Sequence, residues 1–209
     1  MSITSPPPPL LGATPSPMSE PLDTLWRLSV AQYHQMIQAG ILTEDDPVEL
    51  LEGILVAKMP KNPPHRIGVR KLRRSLERVV PAGWSVDIQD PITLPHSEPE
   101  PDGTVSRGDT ERITDRHPGP DEVALLVEVA DATLSRDRTT KKRIYARAQI
   151  PVYWIVNLIE RQVEVYTEPT GPADEPDYRQ RRDYGPAESV PVVLDGQEVG
   201  QIPVGELLP

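Results

Sequence analysis

Apolar residues run unbroken from Val123 to Val127 and resume at Val129 and Ala130, with Glu128 as the one charge inside the run. Turn-rich sequence bounds it on both sides, so it predicts a strand over Val123–Val129 buried on both faces. Val152 to Val156 predicts a second such strand. Between them, Lys141 stands three, four and seven residues before Ile144, Tyr145 and Ala148, a helical spacing that predicts a helix over Asp137–Ala148. Strand, helix and strand in this order imply a parallel βαβ unit.

Other segments follow the same logic. Ser29 opens a helix, with Gln32 placed as in a capping box, Leu28 and Tyr33 as a hydrophobic staple, and Gly40 as its close. Val48–Leu51 and Ile54–Ala57 flank Glu52-Gly53 and read as a hairpin. His65–Val80 carries Val69, Leu72, Leu76 and Val79 at helical spacing. Trp84, Val86 and Ile88 alternate, as do Ile92 and Leu94, so a strand or strand pair is expected there. Residues 103–121 carry glycine, proline and charge and read as a loop. Val163, Val165 and Tyr166 belong to a third strand beyond a tight turn at Ile159-Glu160. The acidic, Pro-rich stretch 168–177 reads as a loop, and a short β element near Val190–Leu194 ends the domain. The chain contains no internal repeat.

The chain has 209 residues, of which 37% are hydrophobic, and 26 are proline. Residues 1–22 hold Pro6–Pro9, Pro15, Pro17 and Pro21, and lack any apolar period. They read as a disordered Pro-rich tail, and residues 23–209 as one domain. Cysteine is absent, which excludes a disulfide framework and a thiolate metal site. No apolar run reaches the roughly 18–20 residues that span a bilayer, so no membrane partner is expected. The N-terminus has neither a basic region nor an apolar run of the signal-peptide kind, so a cytoplasmic protein is expected. A net charge of −10 argues against indiscriminate nucleic-acid binding. Two segments are nonetheless locally basic: Arg66, Arg70, Lys71, Arg73, Arg74 and Arg78, then Arg136, Arg138, Lys141, Lys142, Arg143 and Arg147. Each is either a phosphate-binding stripe or a solvated helix face.

A lone carboxylate inside an apolar strand is costly to bury unless it is paired, hydrogen-bonded or bound to a metal. Glu128 is one such group. Asp102, after Pro101, is a second carboxylate that a neighbouring strand could bring beside it. Two carboxylates, with the backbone carbonyl of Val129 as a third oxygen, suffice for Mg²⁺, which keeps several waters of its own. Such an ion makes a water nucleophilic and neutralises charge on a phosphate under attack. Ala130 lies on the same face as Glu128 and leaves room for a long side chain. Lys141, on the helix face toward the sheet, either fills that room and steadies developing charge or snorkels to solvent, whereas the helical phase puts Lys142 nearer the edge. Asp137, one turn earlier, caps the helix or fixes the lysine. Glu49 either completes an acidic cluster or faces solvent. His65 either serves the helix start or contacts phosphate. Trp154 is a core residue.

The segment Val127-Glu128-Val129-Ala130-Asp131-Ala132-Thr133-Leu134 resembles the Uma family of restriction endonuclease-like proteins. So do Asp137, Lys141, Tyr145 to Ala148 and Ile150 to Asn157. Val48 to Gly53, Pro60 to His65 and Glu98 to Asp102 are similar to the family's other signatures, and the match covers roughly residues 25–200. The resemblance implies the PD-(D/E)XK nuclease fold, an α/β core with a central mixed sheet flanked by helices. It carries metal ligation onto Asp102 and Glu128, the displaced catalytic lysine onto Lys141, and the early acidic position onto Glu49. It implies a Mg²⁺-dependent endonuclease acting on DNA, with Mn²⁺ as a substitute and a homodimer as one way to cut two strands. The alternative is a catalytically weak nucleic-acid-binding or assembly protein on the same fold. Gly103 departs from the family's apolar residue after the aspartate and is expected to loosen the strand that carries Asp102.

Overall fold

The computed structural model describes residues 25–43, 45–109 and 115–209. The Pro-rich stretch 1–22 lies outside the described residues.

Strand β5 (Val123–Ala130) is buried along its whole length and lies at the centre of the molecule. It pairs in parallel with β6 (Val152–Asn157), Leu125 opposite Val152 and Ala130 opposite Asn157, as the βαβ pattern predicts. The two belong to a six-stranded sheet in the order β3-β4-β5-β6-β7-β8. Its other members are β3 (Trp84–Asp87), β4 (Gly103–Arg107), β7 (Gln162–Pro169) and β8 (Tyr178–Tyr184). Every other neighbouring pair is antiparallel, so the sheet is mixed.

Burial on two faces follows from what covers each. Leu125, Val127 and Val129 point into one core with Val69, Leu72 and Leu76 of helix α2 (Pro63–Val79). That core also takes residues of the hairpin β9 (Ser189–Leu194) and β10 (Gln197–Pro203), and of helix α5 (Val204–Leu207). Leu126 and Ala130 point the other way, toward Ile144, Tyr145 and Ala146 of α4 (Lys142–Arg147). The period of two along a strand puts Glu128 on this second face.

The crossover from β5 to β6 is helical but not uniformly so. A short α3 (Leu134–Arg136) leads into a π-helical turn over Asp137–Lys141, which runs into α4. Such π-turns are rare and cluster at functional sites. Asp137 therefore lies inside the helical crossover, and the expected role as its N-terminal cap does not hold.

Helix α1 (Val30–Gln38) has the expected capping box between Ser29 and Gln32. Hairpin β1 (Val48–Leu51) and β2 (Ile54–Ala57) turns at Glu52 and Gly53, with φ of 48° and 80°. Two positive φ values in a two-residue loop match the twist of the strands. A side chain at Gly53 would also lie 2.7 Å from Cβ of Arg27 and 2.8 Å from the carbonyl oxygen of Leu28.

Several readings are corrected. The β element at Val190–Leu194 does not end the domain: it pairs with β10, and α5 follows. Residues 103–107, expected to be loop, form β4, where Gly103 pairs with Val127. Residues 92–94 are not a strand; only an isolated bridge joins Leu94 to Ser97. Strand β7 extends through Pro169, so the expected loop at 168–177 begins later. Gly103 also has a packing reason. A Cβ there would lie 2.9 Å from Cδ2 of Leu72, so the missing side chain lets α2 seat against β4. Among the described residues no helix is long and apolar enough to cross a membrane.

Candidate active site

The loop before β4 delivers Asp102, and β5 delivers Glu128, to one cleft also lined by Glu49, His65, Gln89, Asp137 and Lys141. The cleft has a volume of ≈ 70 Å³, several times what one water needs.

Asp102 is fixed from three sides. Its Oδ2 accepts a 2.9 Å hydrogen bond from the backbone N–H of Val129 and lies 3.0 Å from Nε2 of His65. Its Oδ1 accepts from Nε2 of Gln89 at 2.9 Å. Burial acts to raise its carboxyl, but His65, Gln89 and the Val129 amide outweigh it and hold the group below the usual carboxylate range. His65 arrives because α2 starts where it does. Asn62 caps the helix through its side chain to the N–H of His65, and Pro63 and Pro64 occupy the first turn, where no donor is needed. The Nδ1 atom of His65 is buried without a hydrogen-bond partner.

Glu128 belongs to a second cluster. Its Oε1 accepts from Nζ of Lys141 at 2.9 Å and from the hydroxyl of Tyr145 at 2.7 Å. Nζ of Lys141 also stands 3.4 Å from Oε2 of Glu49, so one ammonium bridges two carboxylates. The lysine does not snorkel: only 6% of it is exposed. Burial acts to lower its pKa, but Glu128, Glu49 and Asp137 together raise it, and it stays charged. Burial pushes the Glu128 carboxyl well above the usual range, against the pull of Lys141, with Asp137 and Asp102 adding to the rise. Asp137 is pushed by burial to about 6, again against Lys141. Its Oδ2 accepts from the Thr133 hydroxyl at 2.6 Å.

The expected site residues thus line one cleft. Glu49 is buried and joins the acidic cluster, and His65 contacts Asp102. Lys142, next to Lys141, turns outward to Asp177 at 2.8 Å, as the helical phase predicts. Two contributors were not expected as site residues. Gln89 sits alone in irregular chain with a φ of 60°. Tyr145 reads from its spacing as a sheet-facing helix position and belongs to a family signature, and its hydroxyl donates to Glu128.

The second basic segment holds no free stripe. Arg138 binds Glu164 and Glu160, Arg143 and Arg147 both bind Glu52, and Arg136 donates to the carbonyl of Ala57. Its charges are spent within the fold.

Among the described residues no three histidine, cysteine or acidic side chains are grouped to hold a metal ion. The donor set still fits Mg²⁺ in its usual manner, which needs hard oxygens from only one or two carboxylates. Both donors on Glu128 crowd one oxygen, Oε1. Around Lys141 the buried carboxylates Glu49, Glu128 and Asp137 outnumber the ammonium, and a further cation would offset that imbalance.

A family model, Uma2, described as a putative restriction endonuclease, matches residues 30–200. No curated protein matches. Among solved structures, the chain is similar to a putative nuclease belonging to DUF820 from Anabaena variabilis ATCC 29413. The TM-score is 0.64 at 16% identity, covering 86% of this chain and 97% of that one. At this identity the likeness shows a shared fold.

Proposed function

The chain belongs to the Uma2 family, and from that membership we propose that it is a Mg²⁺-dependent endonuclease that hydrolyses phosphodiester bonds in DNA. Membership supports nuclease chemistry in general; the metal, the substrate and the residue roles are our reading. The observation that carries it is the charge arrangement at Lys141: a buried ammonium 2.9 Å from Glu128 and 3.4 Å from Glu49, in the cleft that Asp102 also lines.

In this reading Asp102 and Glu128 would hold the ion, with the backbone carbonyl of Val129, whose own N–H already fixes Asp102, as a further oxygen. Bound there, Mg²⁺ would supply an activated water and offset charge on the phosphate. Lys141, held in the cleft by Glu128 and Glu49, would place its ammonium to orient the attacking water and stabilise the charge of the transition state. Glu49 and Tyr145 hold Lys141 and Glu128 in place. His65, with one nitrogen on Asp102, would hold that carboxylate in place at the mouth of the phosphate's path. A homodimer would bring a second cleft to the second strand.

One observation favours a second reading, a catalytically weak nucleic-acid-binding protein. Both oxygens of Asp102 are already engaged, by Gln89 on one and by His65 and the Val129 amide on the other. Incubation with supercoiled plasmid separates the two. Nicking with Mg²⁺ or Mn²⁺ that EDTA abolishes supports the nuclease. Retention of the plasmid without any nicking supports the second reading.

A further inference from the structure

Helix α2 carries a row of exposed arginines at Arg66, Arg70 and Arg74, four residues apart and so on one stripe. Among the described residues none of the three has a carboxylate within ion-pair distance. Their neighbours do: Arg73 pairs with Glu77 at 2.7 Å and Arg78 with Glu206 at 2.6 Å. Lys71 donates to the carbonyl of Leu208. Like charges four apart on a helix repel, so this row stays uncompensated in a chain whose net charge is −10. The contrast with the second basic segment, paired throughout, is direct.

The row also begins in the right place. His65 precedes Arg66 and reaches into the cleft at Asp102, and Lys61, just before the helix, lines the same cleft. At a rise of about 1.5 Å per residue, Arg66 to Arg74 spans roughly 12 Å of helix axis. One strand of duplex DNA presents a phosphate about every 3.4 Å of its axis, so this length faces three or four of them.

We propose that the Arg66-Arg70-Arg74 face of α2 is the track for the phosphodiester backbone of a nucleic-acid strand entering the cleft past Lys61 and His65. The proposal rests on the nuclease reading for its substrate but not for its test. Binding is measured by fluorescence anisotropy in EDTA, with labelled duplex and single-stranded probes, across a salt series. The wild type is compared with Arg70→Glu/Arg74→Glu. A control with the same change of charge, Arg179→Glu/Arg182→Glu, alters two exposed arginines of β8, the sheet edge farthest from the strands that α2 packs on. Thermal melts check that each variant is folded.

The α2 variant is expected to lose at least about tenfold in affinity, with the control near wild type. The slope of log K against log salt should fall by about 0.9 per lost contact on duplex, or about 0.7 on a single strand, which identifies the form of the strand. An equal loss in the control, an unchanged slope, or a wild type that binds neither probe overturns the proposal. So does a variant that loses binding only to phosphatidylserine vesicles, since the stripe would then be a membrane surface. Binding that depends on α2 without any nicking in Mg²⁺ leaves the track standing and sinks the nuclease. Nicking that survives in the α2 variant does the reverse.

Discussion

Lys141→Ala should cost stability as well as activity, and the stability loss should depend on pH in a defined direction. The ammonium is buried between Glu128 at 2.9 Å and Glu49 at 3.4 Å. Removing one member of a buried ion pair leaves an uncompensated charge and costs about 3–5 kcal/mol. For a chain of this size each kcal/mol lowers the melting midpoint by about 2–4 °C, so a fall of roughly 6–20 °C is expected at neutral pH. The sign of the pH dependence follows from Glu128. Its folded carboxyl already lies well above its ordinary value of 4.5 because of burial. Between those two values the folded state binds more protons than the unfolded one, so stability falls as pH rises. Lys141 opposes that rise, and its loss extends the window upward. The deficit relative to wild type should therefore be larger at pH 8 than at pH 5, measured by melts in EDTA. Lys142→Ala is the control: its ion pair with Asp177 is on the surface and contributes at most about 1 kcal/mol. On plasmid with Mg²⁺, Lys141→Ala should lose about 10²–10³ in nicking rate, and Lys142→Ala should stay within about tenfold, the scale of one phosphate contact. A midpoint for Lys141→Ala within about 2 °C of wild type, less than 1 kcal/mol, refutes the buried bridge. A deficit larger at pH 5 refutes the assigned titration.

Mg²⁺ or Mn²⁺ should raise the melting midpoint of the wild type by binding the folded state; Asp102→Asn and Glu128→Gln should each reduce that rise and abolish nicking, and an undiminished rise in both would rule out the ligand assignment. Gly103→Ala should destabilise by about 1–3 kcal/mol in urea titrations, because its Cβ would sit 2.9 Å from Cδ2 of the buried Leu72; a neutral result would mean that α2 shifts freely on the sheet. Removal of residues 1–22 should leave the midpoint unchanged, given their proline density, and a drop of several degrees would show that they pack on the core.

What the sequence determined alone was whatever depends on near neighbours in the chain. The apolar run at Val123–Val129, the Glu52-Gly53 turn, the Ser29–Gln32 capping box and the phase separating Lys141 from Lys142 are local patterns with local physics. The carboxylate inside an apolar strand was legible because burying it without a partner is costly. Strands β4, β8 and β10 were not legible. Gly103–Arg107 has Val105 as its one apolar side chain among glycine, threonine, serine and arginine, too little to signal a strand, and its burial comes from packing under α2 and pairing with β5. Tyr178–Tyr184 is a polar strand at the sheet edge, where only pairing with β7 makes it a strand. The partners of charges were beyond reach for the same reason. Arg143 and Arg147 meet Glu52 more than ninety residues away, while Arg66, Arg70 and Arg74 meet no carboxylate among the described residues. Identical side chains became internal ion pairs in one helix and an open cationic stripe in the other. That difference rests on distances between elements remote in the chain, and only the tertiary structure fixes those.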